Sequence, residues 1–395
     1  MSRRLRWAAT LAVAALVPAA CSDDEPPERA QAAVDAPAVT ALDAGDDLYE
    51  LAATDLEPGD PGELIAVQPV PGVLEGAEVL RVLHWSESLE GEPVPVSGLV
   101  IAPSGPAEGE RAVLSWAHGT TGIADECAPS SAAEVAASLQ LAEPFLERDM
   151  VVVMTDYEGL GTPGRHPYLV GESQGRGVLD IVRAAQQMDL GVGADVVIWG
   201  HSQGGHAALF ANEIAPEWAP ELEVRGAVAG APPSQLAALA ALDLDGSPLE
   251  LFAALIVAGW SAAYPDADPA AVVVPEVLPE LEAVDDMCVG ELFQAWSELA
   301  GRALLRDGAL ATAPWSELLA ENEPGRARGA APVLIIHGED DELIPAASSV
   351  PLVERMCERG ATVDRRTYAG ADHGSVIAAS AGEVLAWIDD RLAGE

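Results

Sequence analysis

Gly200-His201-Ser202-Gln203-Gly204 matches the pattern Gly-x-Ser-x-Gly. By itself so short a pattern recurs by chance, and its context gives it weight. Residues 195–199 form an apolar strand-like run, and a helix-forming stretch follows. That is the strand–turn–helix setting of a nucleophile elbow, in which Ser202 is pushed up at a sheet edge with strained backbone angles. Gly200 and Gly204 sit where a side chain would clash. A serine hydroxyl is a poor nucleophile until a base takes its proton, so an imidazole and a carboxylate must be found elsewhere.

Seven histidines compete for that role. In chains with this elbow the partners follow the serine in the order Ser, acid, His. His84, His118 and His166 precede the nucleophile, and His201 lies inside the elbow, pointing away from Ser202. His206 rides on the helix that follows, and His337 closes a strand. His373 comes late, in Ala369-Gly-Ala-Asp-His-Gly374, a glycine-rich loop after a strand and before the last helix. That is the place for a mobile imidazole over the sheet edge.

The acid should follow the penultimate strand, residues 332–336, whose loop reads Gly338-Glu-Asp-Asp-Glu-Leu-Ile-Pro345. Four carboxylates crowd it. Hydrolases with this elbow commonly show Gly-x-x-Asp with Pro four residues later, a register that Gly338, Asp341 and Pro345 fit; Asp340 is the competitor. The acid fixes the histidine tautomer and stabilises the imidazolium without taking the proton. A calcium loop is not indicated, since the twelve-residue EF-hand pattern is absent. A tetrahedral intermediate also needs an oxyanion hole. One donor should be the backbone N–H of Gln203. The other should come from His118-Gly-Thr-Thr-Gly122, with Thr120 preferred and Gly119 or Thr121 close behind.

The elements that must hold these residues read as alternating apolar strands and helices. Strand-like runs at 112–117, 150–155, 195–199, 224–229, 332–336 and 361–368 alternate with helical stretches at 131–147, 172–188, 207–215, 350–359 and 376–391. This predicts an α/β fold, a mostly parallel sheet covered by helices on both faces. Runs at 78–85 and 94–101 predict a hairpin at one edge of the sheet. Between residues 232 and 329 the alternation breaks into Ala- and Leu-rich helical runs punctuated by Pro, which reads as a helical cap inserted over the carboxyl edge. The catalytic core is then 48–231 plus 330–395.

The chain has 395 residues, 49% of them hydrophobic, enough for a large core in one catalytic unit. Lys+Arg number 20 against Asp+Glu 64, a net charge of −44, and every basic residue is Arg. Nucleic acid is excluded as a partner, since phosphate binding needs a basic surface. A basic membrane-surface helix is excluded on the same ground. Residues 1–20 read as an export signal: Arg3, Arg4 and Arg6, an apolar stretch from Trp7 to Val17, then Ala19-Ala20. Cys21, followed by Ser22-Asp-Asp24, resembles a lipoprotein acylation site, although Pro18 stands where lipoproteins usually have Leu. A lipid on Cys21 would anchor a cell-surface protein; simple secretion is the alternative. Residues 21–47 read as a disordered tether. Cys127, Cys288 and Cys357 allow one bridge and one spare thiol in an exported chain, and their spacing fits no zinc site.

Several longer motifs together resemble the secretory lipases, the fungal lipase A-like group with actinobacterial members, in the α/β-hydrolase superfamily. They are Ser115-Trp-Ala-His-Gly-Thr-Thr-Gly122, Cys127-Ala-Pro-Ser130, Asp156-Tyr-Glu-Gly-Leu-Gly-Thr-Pro-Gly164, His166-Pro-Tyr-Leu-Val-Gly171 and Gly200-His-Ser-Gln-Gly-Gly-His206. The likeness spans about Leu48 to the C-terminus. It implies an α/β-hydrolase with a helical cap, acting on acylglycerols or simpler esters without a cofactor or metal. It also implies a Cys127–Cys288 bridge, worth roughly 3–5 kcal/mol. In the fungal relatives an Asp side chain helps form the oxyanion hole, whereas this chain has the Gly-Thr-Thr loop. Asp156, Tyr157 and Glu158 are placed near the site by the same likeness and read as structural. The expectation is an exported lipase or esterase with a Ser202–Asp341–His373 triad acting on a small-molecule or lipid ester. A serine peptidase or amidase of the same fold is the alternative.

Overall fold

The computed structural model describes residues 39–131, 135–241, 248–298 and 303–395. Cys21 and the predicted export signal lie outside the described residues. One sheet is made of β1 (Thr40–Ala41), β2 (Leu64–Pro69), β3 (Ala77–Glu87), β4 (Pro93–Pro103), β5 (Arg111–Ala117), β6 (Val151–Thr155), β7 (Val192–His201), β8 (Glu223–Gly230), β9 (Val333–Gly338) and β10 (Val363–Tyr368), its central strands apolar runs and its β10 edge polar. The strand order is β1-β2-β3-β4-β6-β5-β7-β8-β9-β10. From β6 to β10 every pairing is parallel, while β2, β3, β4 and β6 pair antiparallel.

The helices are α1 (Leu48–Ala52), α2 (Val135–Leu146), α3 (Gly171–Gln186), α4 (Gln203–Trp218), α5 (Leu236–Leu239), α6 (Pro248–Ala263), α7 (Pro269–Val272), α8 (Leu278–Glu282), α9 (Val289–Glu298), α10 (Trp315–Glu321), α11 (Ser349–Glu358) and α12 (Val376–Ala393). Successive residues of a strand face opposite ways, and the core divides accordingly. Val113, Val151, Ile198 and Ile335 pack with Val178 of α3, Ala207 of α4 and Leu352 of α11. Their neighbours Leu114, Val152, Val197 and Leu334 pack with Phe145 of α2 and with Trp387 of α12. Strands buried on both faces are why these runs are uniformly apolar rather than alternating.

Helices α5 to α10 lie in the chain between β8 and β9, where they share an apolar cluster that includes Leu251, Trp260, Val284, Leu292 and Trp315. Each fully buried Leu or Val there contributes about 1.5–3 kcal/mol, so this segment has a core of its own. Tyr168, Leu169 and Val170 join that core from the loop before α3.

Two expectations need correction. The β3–β4 hairpin is not at the sheet edge, because β2 pairs outside it and β1 outside β2. The stretch 21–47 is not wholly a tether either: Thr40 and Ala41 pair with Ala66 and Val67, and Asp47 caps α1 by accepting from the N–H of Tyr49 and Glu50. Two paired residues are too short a run to leave a period in the sequence.

Register aligns the carboxyl ends of the central strands. Ala117 of β5 stands opposite Gly200 of β7, and His201 stands opposite Gly230 of β8. The loops after β5, β7 and β9 therefore open on one edge, where α/β sheets place their ligands.

Candidate active site

Ser202 caps α4 with φ 57° and ψ −121°, a backbone that L-residues rarely adopt. Close packing forces the turn. A β-carbon at Gly200 would stand 2.0 Å from the Gly204 carbonyl oxygen, and one at Gly204 would stand 1.8 Å from that of Ala117. Only glycine fits at either place. Such strain persists where surrounding structure over-determines it, as it does at functional sites.

His373, on the loop between β10 and α12, places Nε2 2.9 Å from Ser202 Oγ. Its Nδ1 lies 2.7 Å from Asp341 Oδ2. Since a carboxylate only accepts, Nδ1 carries the proton and Nε2 is left free to accept the serine proton. Asp341 Oδ1 accepts from the N–H of Leu343 at 2.9 Å and of Ile344 at 2.8 Å. Burial alone would raise the Asp341 carboxyl, but hydrogen bonds from His337 and His373 hold it well below the usual carboxylate range. Asp340 is exposed and away from the imidazole contacts.

Other histidines hold this group in place, a role that no spacing along the chain assigns. His201 Nε2 donates to the His373 carbonyl at 2.7 Å, and the two rings are 4.7 Å apart. His337 Nε2 donates to the Ile344 carbonyl at 2.7 Å and stands 3.4 Å from Asp341 Oδ2. His118 lies between two carbonyls, with Nδ1 2.7 Å from that of Gly119 and Nε2 3.2 Å from that of Asp156. Burial lowers both His118 and His201 to about 4, so both rings are neutral at working pH.

The two segments expected to supply oxyanion donors border Ser202. Gln203 opens α4, where the first-turn N–H groups have no intrahelical acceptor. On the other side, a β-carbon at Gly119 would stand 3.8 Å from Ser202 Cβ, and Thr120 follows with its Oγ1 2.7 Å from the Tyr168 hydroxyl. Cys127 and Cys288 are bonded, with their Cα atoms 5.4 Å apart, and Cys357 is free and exposed. The bridge ties the Gly-Thr-Thr loop to α9: Gly122 pairs with Cys288, and the Val289 N–H donates to the Thr121 carbonyl at 2.7 Å.

A cavity opens directly beside Ser202 and His373. It is lined by Leu236, Leu239, Phe252, Ala253, Ile256, Leu310 and Leu319 of the inserted segment, with Leu169, Leu343 and Ile344; Tyr168 supplies the polar edge. Among the described residues no group of His, Cys, Asp and Glu could hold a metal ion, and no helix is long and apolar enough to cross a membrane.

Asp156 is fully buried, accepting from Ser97 Oγ at 2.6 Å, the Ser130 N–H at 2.8 Å and Ser130 Oγ, and so knits β4 to the loops after β5 and β6. Burial raises its carboxyl to about 6 against those hydrogen bonds. Its side-chain hydrogen bonds run to Ser97 and Ser130 rather than to Ser202, Asp341 or His373, a structural role.

A secretory lipase family model matches residues 126–395. Over 343 residues the chain is 29% identical to a Mycobacterium tuberculosis protein named "Probable inactive lipase", covering 80% of this chain and 74% of that one. It is 26% identical to Lipase A of Arthroderma benhamiae over 344 residues, 80% of this chain and 71% of the other. Among solved structures, Candida antarctica lipase A in its closed state superposes with a TM-score of 0.71 at 22% identity, covering 85% of this chain and 83% of that one. The fold is that of the α/β-hydrolases.

Proposed function

The chain belongs to the secretory lipase family, and on that premise we propose that it hydrolyses carboxylic esters through an acyl-Ser202 intermediate. The observation that carries the reading is the continuous relay from Ser202 Oγ through His373 to Asp341, at 2.9 and 2.7 Å. It bears directly on activity, given that one relative is named as inactive.

In the first half-reaction Ser202 Oγ attacks the ester carbonyl while His373 Nε2 takes its proton. The carbonyl oxygen becomes an oxyanion, met by the N–H of Gln203 and an N–H of the Thr120 loop, each donor worth on the order of 3 kcal/mol to the transition state. His373 returns the proton to the departing alcohol. In the second half-reaction His373 deprotonates a water, which attacks the acyl carbon, and Ser202 is regenerated. Asp341, ionised throughout, holds the Nδ1 proton and balances the transient imidazolium. No cofactor enters.

The substrate class follows from the cavity. An apolar wall reaching the nucleophile suits the hydrocarbon of an acylglycerol or simpler ester. Helices α5 to α10 act as the cap that carries this wall, dividing the core into 48–231 and 330–395. Export fits the secretory family and the N-terminal stretch, and we place a lipid on Cys21, which Cys21→Ala should abolish together with membrane association.

The test is turnover of matched p-nitrophenyl ester and p-nitroanilide substrates by the purified chain and by Ser202→Ala. The expected result is ester cleavage without anilide cleavage, falling by about 10⁴ in the variant. Undiminished turnover by Ser202→Ala would refute the mechanism, and preferred anilide cleavage would reassign the chain to amide hydrolysis.

A further inference from the structure

The loop from Asp156 to Val170, conspicuous in sequence, lines the cavity beside Ser202 through Tyr168 and Leu169 and touches both sides of the expected oxyanion hole. Its Tyr157 hydroxyl donates to the His118 carbonyl at 3.0 Å, and its Tyr168 hydroxyl bonds Thr120 Oγ1 at 2.7 Å. On the opposite side, His166 Nε2 lies 2.9 Å from Gln203 Nε2. We propose that His166 is a positioning residue that fixes the Gln203 peptide, and with it the main-chain oxyanion donor. This rests on the reading of Ser202 as the nucleophile.

The direction of the His166 contact follows from its other nitrogen. Nδ1 stands 2.7 Å from the Glu158 carbonyl oxygen, which can only accept. Nδ1 therefore carries the proton, and Nε2 must accept from the Gln203 amide nitrogen. That orientation leaves Gln203 Oε1 buried without a partner among the described residues. His166 is thus the hydrogen-bond partner of an otherwise isolated amide. Both side chains are buried, and burial lowers His166 to about 3, which keeps Nε2 an acceptor at working pH.

The ring is gripped as well as bonded. It stacks on Tyr157 at 5.8 Å with 14° between planes and meets Tyr168 edge-on at 6.2 Å. Tyr157 and Leu169 hold φ of 70° and 56°, so the loop is itself strained near both ends. Gln203 follows directly on the strained Ser202, and the peptide joining them carries the donor N–H. A tether on its side chain opposes relaxation of that peptide, and small displacements of an aligned donor are costly in rate.

The experiment compares His166→Asn, His166→Gln and Gln203→Met. Asn can keep the bond to Glu158 but cannot reach Gln203, whereas the longer Gln can offer an acceptor to the Gln203 amide. Gln203→Met keeps the main-chain N–H and removes the tether from the other end. His166→Asn and Gln203→Met should each lower kcat on a p-nitrophenyl ester by about 10- to 100-fold, with KM within about twofold. His166→Gln should recover most of that loss, and His166→Asn/Gln203→Met should be no worse than the poorer single variant.

The trifluoromethyl ketone analogue of the ester, which adds to serine as an oxyanion, should lose affinity in parallel. A purely structural residue would not move that affinity. Wild-type kcat in Gln203→Met, additive losses, or unchanged affinity for the ketone would overturn the proposal. Should His166→Asn not fold, Gln203→Met decides alone. Ser202→Ala run alongside separates the two failures: its turnover surviving removes the nucleophile, while its turnover lost with Gln203→Met intact removes only the tether.

Discussion

Asp341→Asn against Asp340→Asn separates two adjacent carboxylates by role. Asp341 receives the His373 Nδ1–H at 2.7 Å and two main-chain N–H groups, and its side chain is fully buried. An amide there preserves shape but can present N–H to Nδ1, which favours the tautomer with the proton on Nε2. His373 would then face Ser202 Oγ as a donor rather than a base. A tautomer error of this kind costs on the order of 10⁴ in kcat, about 5 kcal/mol at 1.36 kcal/mol per tenfold. Asp340 is exposed and outside the relay, so its amide should stay within about twofold. The assay is initial-rate hydrolysis of p-nitrophenyl butyrate at pH 8, with circular dichroism to establish folding. A greater loss at position 340, or less than tenfold at position 341, would refute the assignment of the acid.

Three further outcomes follow from other parts of the molecule. Ile256→Trp, projecting into the cavity beside Ser202, should cut kcat/KM on dodecanoyl esters at least tenfold relative to butanoyl esters; an unchanged chain-length profile would place the acyl chain elsewhere. Replacing Cys127 and Cys288 by Ser opens a bridge separated by 161 residues, costing up to about 5 kcal/mol on the chain-entropy account, so urea denaturation should shift to a clearly lower midpoint, and an unmoved midpoint would count against it. Asp156 is raised to about 6 by burial, against the pull of its hydrogen bonds. Its folded state therefore holds a proton that the unfolded chain has released between about pH 4 and 6, and stability falls there by at most about 1.4 kcal/mol per pH unit. Asp156→Asn should flatten that part of the Tm–pH curve, and an identical slope would show that Asp156 does not titrate there.

The parallel half of the sheet and the meeting of Ser202, Asp341 and His373 were legible because the physics behind them is local. A strand buried on both faces must be apolar throughout, and a nucleophile elbow must have Gly200 and Gly204 where any β-carbon would strike main chain. Asp341 could be preferred over Asp340 through the register of Gly338 and Pro345. What stayed hidden is non-local. Thr40 and Ala41 are ordered by pairing with Ala66 and Val67, a contact with no period to announce it. The chain positions of His166, His201 and His337 argue only against their being the base. Their actual work, holding Gln203, the His373 carbonyl and the Asp341 loop, depends on which carbonyls the fold brings opposite each ring.

The most direct measurement is covalent trapping with a fluorophosphonate, followed by peptide mass spectrometry. The phosphorus should appear on Ser202 alone, at one per chain, with labelling abolished by Ser202→Ala and slowed by orders of magnitude in Asp341→Asn. A folded chain that stays unlabelled, or carries the label on a different side chain, would contradict the relay on which the proposed hydrolysis depends.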